Sequence, residues 1–257
     1  MDLFQYERLS EMNEGEFAVY NYVSTHLDEI EQMNIRELSA ATGVSTTTIL
    51  RFCSKLGCEG YKEFKYQLSK SLKGQNNQRV YFPSAVHAIQ FLQKAADNPD
   101  LDEQLETTAE WCLQARQVLF TGLGASGSLA GYGSRLLSDM GIESFAITDP
   151  FYPLPMRELY DTVLIALSAS GETSGMISMV GGFKKKRTRI VSITNTGQCT
   201  LARMSDLNFA YYMPMSYSWP KRSASELTTQ IPPLYLLETL MCKLCEKRVE
   251  MADIGNT

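Results

Sequence analysis

Five short apolar runs, at residues 118–121, 144–148, 162–167, 190–194 and 207–211, alternate with segments of helical spacing. Parallel neighbours in a sheet need a connection long enough to hold a helix, so this alternation predicts a doubly wound α/β domain with a parallel sheet. In such a fold the ligand lies beyond the carboxyl ends of the strands. Two further helical stretches, 85–96 and 101–115, precede the first strand. The polar segment 74–84, with a proline near its end, reads as a linker, and residues 1–73 form a separate N-terminal unit. A chain of 257 residues is long enough for two domains.

The N-terminal unit is all-α. Apolar residues Phe17, Tyr20 and Val23 fall at helical spacing, and residues 35–42 make a short second helix. Gly43 ends it, and Ser45 opens a third helix as N-cap, with Ile49, Phe52 and Leu56 on its inner side. Helix, glycine turn and capped helix is the helix-turn-helix layout. The outward residues Thr46 and Thr47 place short hydroxyls where base edges are approached; Arg51 and Lys55, with Lys62 and Lys65 further on, are cations suited to phosphates. Helix pairs of this kind also occur in structural bundles. The formal charge of −5 is unevenly spread. Residues 1–42 carry two basic and nine acidic side chains, whereas 43–80 carry seven basic and two acidic, so the local balance swings from −7 to +5. A polyanionic partner fits that swing, as does a solvated face.

The C-terminal part contains a literal G-x-G-x-x-G at Gly122, Gly124 and Gly127, directly after the first strand. A dinucleotide site would add an acid about 20 residues on, and Glu143 fills that position. It would leave unexplained the loop after the third strand, "SASGETSG", whose Ser168, Ser170 and Thr173 surround the start of a helix. Helix N-termini attract anions, and hydroxyls add donors without a cation, so this loop is placed to hold one phosphate group. Small turn residues alone would read the same way.

Residues 34–70 carry "GVS", Thr48 and Arg51 in "TTTILRF", "KLG" and "GYKEFK", and resemble the N-terminal domain of the RpiR family of bacterial transcription regulators. The loops "GLGASG" and "SASGETSG", with "IVSITNTGQCTLARMSD", resemble the SIS, or sugar isomerase, domain over residues 105–247. The resemblance implies a phosphosugar-binding α/β fold in residues 85–257, usually dimeric. On the family pattern S-x-S-G-x-T, Ser168, Ser170, Gly171 and Thr173 hold phosphate, and Ser126 faces the sugar phosphate. It also implies a double-stranded DNA operator as partner, contacted by Thr48 as well as by Thr46, Thr47, Arg51, Lys55, Lys62 and Lys65, a phosphosugar effector and a homodimer or higher oligomer. Gln230 departs from the arginine that many such proteins carry there.

The competing class is a phosphosugar isomerase or lyase, for which Glu226, in or near the sugar site, or Glu172 offers a base. The only histidines are His26 and His87, so none follows residue 87, and binding without turnover is expected, with no cofactor. Cys242 and Cys245 form the one C-x-x-C, without the second pair a structural zinc needs, so no metal is expected. No apolar run reaches the roughly 20 residues of a membrane span, and the first residues are acidic and polar, so a cytoplasmic protein is expected. The aromatic stretch 211–222 reads as pocket lining, interface or core.

Overall fold

The computed structural model describes residues 8, 11–73, 83–153, 159–213 and 228–254. The chain divides into two compact units, Met1–Phe91 with Tyr212–Thr229, and Leu92–Tyr211 with Gln230–Thr257. Of the expected linker 74–84 only Pro83 and Ser84 lie within the described residues, at the start of a helix.

The first unit begins with α1 (Glu14–Thr25), the single turn α2 (Leu27–Ile30), α3 (Ile35–Thr42), α4 (Thr46–Lys55) and α5 (Tyr61–Lys73). Helix α1 starts where it does because Asn13 and Glu16 form a reciprocal cap: Asn13 Oδ1 accepts from Glu16 N at 3.0 Å, and Glu16 Oε2 accepts from Asn13 N at 3.0 Å. The same arrangement at Asn34 and Glu37 opens α3. Gly43 closes α3 with φ +69°, and Ser45 Oγ accepts from Thr48 N to open α4. Val19, Tyr20, Val23, Leu38, Ile49, Phe52 and Phe64 are fully buried in one core among these helices, with Phe52 and Phe64 packed edge to face.

In the second unit α7 (Pro99–Gln114) leads into β1 (Gln117–Gly122), α8 (Ala125–Asp139), β2 (Ser144–Ile147), β3 (Thr162–Ser168), α9 (Ser174–Lys184), β4 (Arg189–Thr194), the short α10 (Thr200–Met204) and β5 (Leu207–Ala210). The connecting helix α6 (Pro83–Ala96) precedes α7, and α11 (Ile231–Ile254) ends the chain's regular structure. All five strands are parallel, in the order β2-β1-β3-β4-β5. Central β3, TVLIALS, is buried throughout, as a strand covered on both faces must be. Helix α11 lies against α7, where Lys243 and Lys247 bridge Asp102, Glu106 and Glu110. Pro232 and Pro233 fall in its first turn, where the missing N–H groups cost no helical bond. Among the described residues, no helix is long and apolar enough to cross a membrane.

Candidate phosphate site and nucleic-acid interface

Strand order reverses between β1 and β3, and at that point two chain segments leave the sheet side by side. A ligand in a sheet of this kind sits at such a crevice. The first segment turns through Gly124, at φ +57°, into α8, whose N-terminus carries no side-chain cap. Two of the three motif glycines answer to packing. A Cβ on Gly122 would lie 2.5 Å from Ser126 O, and one on Gly127 would lie 2.9 Å from Gly122 O. Gly133, one and a half turns further, meets the Phe120 ring in the same way. Gly122 and Gly127 thus let α8 sit directly on β1, whereas a Cβ on Gly124 would meet nothing and only its positive φ asks for glycine.

The second segment runs from buried Ser168 through Gly171 to α9, whose N-cap Thr173 makes no side-chain cap bond. Gly171 has φ +64°, and a Cβ there would fall 2.2 Å from Cys199 Sγ, so no other residue fits. Its N–H donates to Ser168 Oγ at 3.2 Å, which leaves the Ser168 hydroxyl proton available to a further acceptor. Ser170 Oγ lies 3.4 Å from Thr173 Oγ1 and accepts from Glu172 N at 3.3 Å. Ser168, Ser170 and Thr173 therefore stand together around uncapped N–H groups at the start of an 11-residue helix. Such a cluster can bind an oxyanion through neutral donors and the helix dipole. Ser126 is half-buried in the first turn of α8, on the neighbouring strand's exit.

The two carboxylates considered as bases fare differently. Glu172 Oε1 accepts from Thr200 N at 2.6 Å, so this carboxylate caps the short α10 instead of facing the loop's hydroxyls. Glu226 lies outside the described residues, as does most of the stretch 211–222. Its first residue, Tyr211, is buried.

In the helical unit the exposed face of α4 presents Thr47, Leu50, Arg51 and Ser54, with Thr46 half-buried at its edge. Arg51 on α4 and Lys62 on α5 are exposed and make no hydrogen bond or ion pair among the described residues. Three of the expected contact residues are committed elsewhere. Lys55 Nζ sits 2.7 Å from Glu16 Oε2, a carboxylate with 2 % exposure, and also donates to Glu11 O. Lys65 Nζ donates to Glu31 O and Met33 O, both at 3.1 Å, closing the α2 turn and lying over the Tyr61 ring. Thr48 turns toward α1: its Cγ2 is 3.0 Å from where a Cβ on Gly15 would be, and its Oγ1 is 2.9 Å from Ser45 Oγ. These contacts hold α4 and α5 in place. Sequence reasoning passed over Arg8, which donates to Leu56 O just past the end of α4, and Leu50, which helical spacing places on the outward face one turn after Thr46 and Thr47.

Comparison with known proteins places these two units. The helix-turn-helix domain of the rpiR family matches residues 6–75, and the SIS domain matches residues 113–236. An uncharacterized HTH-type transcriptional regulator of Clostridium perfringens is 25% identical over 250 residues, covering 91% of this chain and 88% of its own. Among solved structures, the Vibrio vulnificus NanR protein complexed with ManNAc-6P aligns with a TM-score of 0.56 at 23% identity, over 95% of this chain and 91% of that one. A Methanococcus jannaschii protein, for which a 3-hexulose-6-phosphate isomerase function was inferred, aligns at 0.52 and 18% identity over 64% of this chain and 88% of its own. Both structural likenesses are likenesses of fold.

Proposed function

Because the chain belongs to the RpiR family, with its helix-turn-helix domain followed by a SIS domain, we propose that it is a DNA-binding transcription regulator whose activity a phosphosugar modulates. The observation that carries the effector half is the ring of hydroxyls around the uncapped N-terminus of α9, beside the uncapped N-terminus of α8. In this reading Ser168, Ser170, Thr173 and the Gly171 backbone bind the phosphate, and Ser126 and Glu226 face the sugar. The name of the Clostridium perfringens relative and the sugar phosphate bound by the NanR protein support it. The protein works in the cytoplasm as a dimer or higher oligomer, and residues 1–73 and 85–257 divide the two tasks.

On the DNA side, Thr46 and Thr47 face bases and Arg51 and Lys62 meet phosphates, while Lys55, Lys65 and Thr48 support the helices that carry them. Two phosphate contacts per subunit in a dimer give a log–log salt slope of about −3.6, from roughly −0.9 per phosphate. A ligand changes DNA affinity only through its different affinity for two arrangements of the dimer, and the effect is reciprocal. Couplings of about 1 to 3 kcal/mol correspond to roughly 5- to 150-fold.

The test is DNA affinity across a phosphosugar panel, for the parent chain and for Ser170→Ala and Thr173→Ala. Each hydroxyl donates to an ionised group, a bond worth on the order of 1.5 to 3 kcal/mol, so each variant weakens the effector by about 10- to 150-fold. Ligand-free DNA binding stays intact. A panel in which bound phosphosugars leave DNA affinity unchanged refutes the sensor. Product formation from any of them moves the protein to the isomerase or lyase class.

A further inference from the structure

Leu50 is 47 % exposed, while Ile49 and Phe52, its neighbours on α4, are fully buried. A lone exposed leucine is ordinary on a protein surface. Its company here is not ordinary. Thr46 and Thr47 lie one turn before Leu50, Arg51 adjoins it, and Ser54 lies one turn after, so an apolar group sits inside a face otherwise made of hydrogen-bonding side chains. The helix is pinned from behind with that face outward, by Lys55 on Glu16 and by Arg8 on Leu56 O.

A major groove offers donors, acceptors and a single apolar group, the C5-methyl of thymine. Hydroxyls and a guanidinium serve the first two; Thr46 and Thr47 carry a methyl beside their hydroxyls, but Leu50 is the one wholly apolar side chain on this face. We propose that Leu50 reads a thymine methyl and fixes an A·T pair at one position of each half-site. The inference rests on the DNA-binding reading above.

The test begins with the full-length chain and duplexes selected by it from a random pool, with and without the phosphosugar panel. Each thymine of the selected sequence is then replaced in turn by uracil, which keeps the base pair and removes the methyl alone. At one thymine per half-site the replacement weakens binding by about fourfold, the worth of one buried methylene-sized contact. Leu50→Ala weakens binding to the thymine duplex and erases the difference between the two bases, while substitution at Thr47 leaves that difference in place. If every thymine tolerates uracil, or if Leu50→Ala still distinguishes the two bases, Leu50 has no such role. If no duplex is retained under any condition, the DNA-binding reading itself fails.

Discussion

Replacing Gly171 by alanine tests how the phosphate loop is built. The added Cβ meets two separate obstacles. The backbone sits at φ +64°, which costs an L-residue about 1–2 kcal/mol, and the methyl falls 2.2 Å from Cys199 Sγ and 2.8 Å from Cys199 Cβ. Both contacts are inside the range where something must move. Overpacking a closed site costs about 1–3 kcal/mol, and the reduced freedom of the unfolded chain returns about 0.4–1 kcal/mol. The net loss is about 2–4 kcal/mol. The two parts separate in a double-mutant cycle with Cys199→Gly, which removes both clashing atoms and leaves the backbone cost untouched. Cys199→Gly alone loses the Sγ cap on Ala202 N, a change of a few tenths of a kcal/mol at an N-cap, together with packing. The cycle cancels both. Its coupling energy is then about 1–3 kcal/mol in favour of the pair, whereas Cys199→Ala, which keeps the Cβ, rescues less. Hydrogen exchange at the β3 and β4 amides reports on this unit specifically and measures each corner of the cycle. A Gly171→Ala protein within about 0.5 kcal/mol of the parent, or an undiminished cost in the Cys199→Gly background, refutes the packing account.

Lys55→Ala strands the buried Glu16 carboxylate with, among the described residues, only the Asn13 N–H, and costs about 1–3 kcal/mol, below the range for fully buried pairs because Lys55 is 32 % exposed. Thermal unfolding measures that loss, and the salt slope of DNA binding stays unchanged, whereas Arg51→Ala makes the slope shallower by about 0.9 per subunit. Of the six cysteines, only Cys242 and Cys245 are exposed, so a thiol reagent at pH 8 labels two sites rapidly in the native protein. Burial pushes the Cys53 and Cys112 thiols up to about 12 from 9.0. The folded state then holds its protons longer than the unfolded one, so this contribution is complete below pH 9 and is lost as pH rises toward 12. A urea midpoint that stays flat between pH 9 and 11 contradicts the assignment. The lysine ladder on α11 is exposed on its acidic side, so Lys243→Met together with Lys247→Met costs no more than about 1 kcal/mol, less at high salt, as urea unfolding at two ionic strengths will record.

Much of the frame was legible because it rests on local chemistry. Gly43 at positive φ, Ser45 as N-cap and the five strands each follow from residues a few positions apart, and all appear where spacing puts them, with strand ends moved by one residue. The cap at Asn13 was equally local, since N-x-x-E spells it and fixes the start of α1 at Glu14. The roles of the cations were not local. Lys55 meets Glu16 across 39 residues and Lys65 meets Glu31 across 34, and no periodicity distinguishes them from Arg51 and Lys62. The same holds for Glu172, whose partner Thr200 is 28 residues away. Charge can be counted in a sequence, but whether a charge is spent inside the fold depends on which helices touch.

The clearance between α8 and β1 also bears on how such a protein can change over evolutionary time. Gly122 and Gly127 are held by close backbone atoms and Gly133 by the Phe120 ring, whatever side chains the loop carries. Selection for a new effector can therefore rewrite Ser126, Ser170 or Thr173 while those glycines stay. A lineage that has wholly exchanged its ligand will still display the same glycine spacing, and that spacing records the ancestry of the helix–strand joint while remaining silent about the metabolite it serves.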